Sequence, residues 1–169
     1  MSTALYKLTT ELGADITFRL PTPASDPAVA AIEAYRVKVG AGPVSYLVAD
    51  VDNRQGTALV NMYMVKAFDG EGRQVTFSSV TELIHSWAPT YSYDYKWTIG
   101  DGRVLDEAVG AELRREANDL YKANINDAGI AERTTIILAS ADTELPAEFT
   151  RVAVQSSGTE DEEEARPAR

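Results

Sequence analysis

Residues 44–84 hold three successive β-type stretches joined by turns of a few residues, and connections that short admit hairpins only. Residues 44–51 are rich in β-formers and apolar on both faces, as a central strand is. The following Asp52-Asn53-Arg54-Gln55-Gly56 is a turn, with Asn53 and Gly56 suited to tight or left-handed backbone. Residues 58–68 form the next strand, Asp69-Gly70-Glu71-Gly72 the next turn, and residues 74–84 a third strand that breaks near Ser78-Ser79. Parallel pairing would need crossovers of about a dozen residues or more. The meander is therefore antiparallel.

The flanking sequence extends this pattern. Ile16, Phe18 and Leu20 share one face of a strand over residues 14–20, and Pro21, Pro23 and Pro27 make residues 21–27 a loop. Asp26-Pro27 is a good helix opening, but Tyr35, Val37 and Val39 alternate with Arg36 and Lys38, so a strand is expected from residue 32. Residues 91–99 alternate most cleanly, with Tyr91, Tyr93, Tyr95, Trp97 and Ile99 on one side, and Gly100-Asp101-Gly102 ends that strand. The period then changes. Leu105, Val109, Leu113, Ala117 and Leu120 recur at helical spacing, which predicts an amphipathic helix over about residues 104–123. Residues 134–139 and 149–155 are closing strands. The expected fold is mainly β: an antiparallel immunoglobulin-like β-sandwich of about seven strands with that one inserted helix. Residues 1–155 form the single domain, and residues 156–169 are expected to be a disordered acidic tail, since they hold no apolar residue except alanine.

Charge narrows the partners. The net charge is −10, and an acidic body repels both phosphate backbones and anionic membranes, so neither nucleic acid nor membrane is an expected partner. Cysteine is absent, which excludes disulfides, thiolate nucleophiles and cysteine metal sites. The start, Met1-Ser2-Thr3-Ala4-Leu5-Tyr6-Lys7, lacks a basic stretch followed by an apolar core, and no apolar run reaches membrane-spanning length. A cytoplasmic or virion-associated location is expected.

The segment Val48-Ala49-Asp50-Val51-Asp52-Asn53-Arg54-Gln55-Gly56, followed by Val65-Lys66-Ala67-Phe68-Asp69-Gly70-Glu71-Gly72, resembles bacterial immunoglobulin-like domains of the FxLyD and telokin-like type. There, one strand ends in Asn and a Gly turn, and the next ends in aromatic-Asp before a second Gly turn. The resemblance covers residues 44–77 and implies an accessory, non-catalytic sandwich used for interaction or support. The helix at 104–123 is an addition to that pattern.

Three sets of residues are candidate sites. Tyr91, Tyr93, Tyr95 and Trp97 form either a core face or a partner-binding row, because Tyr and Trp are enriched at binding hot spots. Asp50, Asp52, Asn53, Asp69 and Glu71 are oxygen donors of the kind Ca²⁺ takes, but the turns of consecutive hairpins lie at opposite ends of a sheet, one turn alone (Asp50, Asp52 and Asn53) supplies too few ligands, and turn formation explains these residues as well. His85 is the only histidine, and no Gly-x-Ser-x-Gly elbow presents a serine to it. The acidic residues 160–164 are either a solvated tail or a segment recognised by a basic partner. The first functional expectation is a non-catalytic protein-interaction or structural module without cofactor, docking on another protein or a second copy, within an assembly such as a phage virion. The alternatives are a carbohydrate- or calcium-dependent ligand-binding domain and a hydrolase.

Overall fold

The computed structural model describes residues 3–100, 102–157 and 161–168. Asp101 of the expected turn and Glu160 of the acidic run lie outside the described residues. In chain order come β1 (Ala4–Thr9), β2 (Asp15–Thr22), a 3-10 turn (Pro27–Val29), α1 (Ala30–Val39), β3 (Ser45–Asp52), β4 (Val60–Phe68) and β5 (Gln74–Ser79). Then follow α2 (Val80–Trp87), β6 (Thr90–Tyr91), β7 (Trp97–Ile99), β8 (Arg103–Leu105), α3 (Glu107–Ala123), β9 (Asp127–Ala128), β10 (Arg133–Ser140), β11 (Arg151–Ser156) and β12 (Glu163–Pro167).

The expected sandwich is overturned. The main sheet runs β11-β12-β1-β2-β3-β10-β5-β4, and β4 pairs back onto β11, closing an eight-stranded antiparallel barrel. Closure is carried by the register Arg151↔Phe68 through Val154↔Val65, so neither strand is left as an edge. A barrel of eight strands is just wide enough to be filled by side chains. Here Tyr6, Ile16, Phe18, Leu47, Met62, Phe77, Ile136 and Val154, from seven of the eight strands, converge in one buried cluster. The alternation that a sandwich shares with a barrel made the two indistinguishable from local pattern alone.

The eighth strand is β12, drawn from residues expected to be disordered. It pairs with β1 at Tyr6↔Pro167 and with β11 at Val152↔Ala165. Only Ala165 of this strand is buried. The acidic residues beside it are docked: Glu162 pairs with Lys66 and lies 3.9 Å from Arg151, and a Glu163 carboxylate oxygen accepts from the Glu11 amide at 2.9 Å. Ladder hydrogen bonds come from backbone, so a strand with one inward alanine can close a sheet that its neighbours have already filled.

Two helices replace expected strands. α1 occupies residues assigned to a strand from 32. Its buried residues, Ile32, Tyr35 and Val39, recur at spacings of three and four, which is helical and would put Ile32 and Tyr35 on opposite faces of a strand, whereas Val37 is 62% exposed. Asp26 accepts from the Ala28 amide at 2.9 Å to start the helical run. Gly40, at φ 72, ends it, with the Ala41 amide reaching the Arg36 carbonyl at 3.0 Å. The expected meander holds only for β4 and β5: β3 pairs with β2 and β10 instead of β4, so the short connection that holds Asn53 and Gly56 crosses between strands that are not neighbours. The strand from residue 74 does break at Ser78-Ser79, but into α2, which stops before Pro89. The inserted helix is present as α3.

All three helices lie on one outer wall. Tyr46 and Val48 of β3 and Ile137 and Ala139 of β10 point outward into a second cluster with Ile32, Tyr35, Ile84, Leu113 and Ala117. This explains why residues 44–51 are apolar on both faces. Among the described residues, no helix is long and apolar enough to cross a membrane.

Candidate functional site

β6, β7 and β8 form a small separate sheet, and its first hairpin projects the aromatic residues. The expected single strand over 91–99 is instead two short strands with a reversal between them. Tyr91 pairs with Trp97, and the Ser92 amide donates to the Lys96 carbonyl at 2.9 Å. The Ser92 hydroxyl reaches both the Lys96 carbonyl, at 2.9 Å, and the Asp94 carboxylate. Lys96 Nζ lies 3.2 Å from the same carboxylate. These contacts hold the Asp94 carboxyl below its usual range, the Ser92 hydroxyl contributing most and the Lys96 ammonium next. Ser92 and Asp94 are turn formers, and that signal was present in the sequence beneath the stronger alternation.

The reversal decides where the aromatics go. Tyr93 is fully exposed, Tyr95 is 83% exposed and Tyr91 is half exposed. Tyr91 contacts Trp97 at 4.9 Å between ring centroids and Tyr95 edge-on at 6.4 Å, so the tip is a connected aromatic surface. Trp97 is the half-buried root. It lies so close over Gly110 of α3 that a Cβ there would fall 2.2 Å from the indole Cγ. Ile99 is buried among the helices, Arg114 donates to the Pro89 carbonyl at 3.2 Å, and Arg103 donates to the Val39 carbonyl at 3.3 Å. The base is anchored. At the tip, Tyr95 holds φ at 62°, a left-handed conformation that non-glycine residues adopt rarely and at a cost.

The other candidates are scattered. Asp50 is paired to Arg133, and that guanidinium holds its carboxyl below the usual range. Asp52 is paired to Arg54 at 2.6 Å and lowered to about 2, chiefly by that side-chain hydrogen bond. Asn53 is fully buried, with Nδ2 2.9, 3.1 and 3.0 Å from the carbonyls of Ala58, Ala128 and Gly129. It clasps the β3–β4 connection to β9. Asp69 caps its own turn, accepting from the amides of Glu71 and Arg73 at 2.9 Å. His85 is exposed on the last turn of α2, and the neighbouring Ser86 hydroxyl donates to the Leu83 carbonyl at 2.8 Å.

The fold and this surface together define a closed antiparallel barrel, helix-covered on one wall and bearing a tyrosine-tipped hairpin. No protein-family profile matches the chain, and neither a curated protein nor a solved structure is significantly similar to it.

Proposed function

We propose that the chain is a non-catalytic interaction module that docks on another protein through Tyr91, Tyr93 and Tyr95. The observation that supports this reading is the exposure of three tyrosines on an anchored hairpin. Leaving large rings in water has no folding benefit, whereas burying them against a partner does. A tyrosine brings wide contact area with few rotatable bonds, so little entropy is lost on docking. The net charge of −10 favours a partner with a basic rim around an apolar contact, which would speed encounter. A multiprotein assembly, a phage virion being one, is the setting this reading fits.

The test compares the full chain with its Tyr93→Ser/Tyr95→Gly variant as bait, with bound protein quantified at matched loading. A stoichiometric partner held by the wild type and reduced at least tenfold in a variant whose melting temperature is not lowered supports docking at the tip. Equal retention by both baits, or no partner on either, counts against it.

A further inference from the structure

The barrel has a second feature, at the end opposite the Asn53 clasp. There the start of β1, the end of β2, the end of β12 and the connection leading into β11 surround a cavity of about 330 Å³ open to solvent. Its lining side chains are apolar, Leu20, Pro21, Phe149 and Pro167 among them, except for Tyr6 and the exposed Glu148, and backbone contributes further polar surface. The Tyr6 ring is only 4% exposed and is stacked on Phe18 at 5.7 Å between centroids. Among the described residues its hydroxyl makes no hydrogen bond, and the oxygen is not sealed from solvent, so it is free to meet a ligand. Burial, and then the Glu148 charge, hold that hydroxyl in its neutral form above the usual phenol range.

An apolar pocket in a barrel mouth with few convergent polar groups has the make-up of a small-molecule site. The polar groups select the ligand. Glu148 offers a carboxylate, and the neutral Tyr6 hydroxyl offers an acceptor lone pair, so an anion is repelled while an ammonium is satisfied by both. We infer that this cavity binds a small organic cation, an ammonium on an aromatic or alkyl body, with the charge between Glu148 and Tyr6 and the body against Phe149 and the two prolines. A cation beside the Tyr6 and Phe149 rings gains from their π faces as well. This site is independent of the tyrosine hairpin.

The probe is 2-phenylethylamine, compared with 2-phenylethanol and phenylacetate, which share its body and differ in charge. Each is titrated into the full chain at neutral pH and followed by amide NMR shifts. The amine is expected to give saturable shifts confined to the β1 start, the β2 end and residues 146–149, binding at least tenfold tighter than the alcohol or the acid. Glu148→Gln should weaken the amine tenfold or more by removing the opposite charge. Tyr6→Phe, which keeps the ring and its stacking, should weaken it severalfold. Absence of saturable shifts, equal binding of the three probes, or unchanged amine affinity in either variant would overturn the assignment.

Discussion

At the scale of single residues, three positions carry constraints that a substitution can expose. Tyr95 is held left-handed at an exposed tip, so Tyr95→Gly relieves the backbone while loosening the unfolded chain. The expected net is a gain of up to about 1 kcal/mol in urea denaturation. Gly110 lies under Trp97, and Gly110→Ala should cost about 1–3 kcal/mol and red-shift the tryptophan emission as the indole is lifted toward water. Asn53 Nδ2 lies within hydrogen-bond distance of three carbonyls and shares its two N–H donors among them. Asn53→Ala should cost about 3 kcal/mol because those acceptors stay buried without a donor. Gly56 belongs to the same knot, since a Cβ there would fall 1.8 Å from the Asn53 Oδ1. The sequence placed Asn53 and Gly56 in a turn. That the asparagine also reaches across to residues 128 and 129 is a long-range contact, and no local pattern announces one.

At the scale of elements, α1 shows how a helix is fastened to a barrel wall. Glu33 accepts from Arg36 Nε at 2.8 Å and from the Tyr46 hydroxyl of β3 at 2.9 Å, and Tyr35 donates to the Leu113 carbonyl of α3 at 3.1 Å. The signs of the pKa shifts follow. Glu33 is lowered, mainly by the Arg36 hydrogen bond, so its contribution is complete above the unfolded carboxylate range near ~4.3 and is lost as pH falls through the depressed value. Tyr35 is raised from 10.0 to about 12, chiefly by burial and then by Glu116, and Tyr46 is raised by burial and the Glu33 hydrogen bond. Their contribution is complete below pH 10 and disappears as pH rises through the raised values. Urea midpoints measured against pH should therefore fall on both flanks, and Tyr35→Phe should flatten the alkaline one between pH 10 and about 12. The strand expected here failed for a specific reason. Tyr35 and Val39 suit either period; Ile32, three residues before Tyr35, and Val37, which a sheet would bury and the helix exposes, distinguish them.

At the scale of the whole molecule, the β4–β5 hairpin and α3 were legible because their evidence is local: turn residues, alternation and helical period. The expected β3–β4 hairpin failed, because β10, which begins only at Arg133, takes the place beside β3 and β5 separates it from β4. Closure was not legible either, because it depends on β12, whose Glu-Glu-Ala-Arg-Pro composition argues against order. A chain ending after Ser157 would leave β1 and β11 with unpaired backbone, and it should lose cooperative melting and elute as aggregates in size-exclusion chromatography. Retention of a sharp melt would show that the other seven strands suffice. The same strand has a temporal consequence. β1 precedes every other barrel strand in the chain, yet one of its two neighbours is the last of them to be synthesised, 154 residues after Thr9. At ordinary translation speeds that gap lasts roughly 8–30 s. Throughout it, one edge of β1 waits for its neighbour, so the barrel cannot close until nearly the whole of this stretch has left the ribosome.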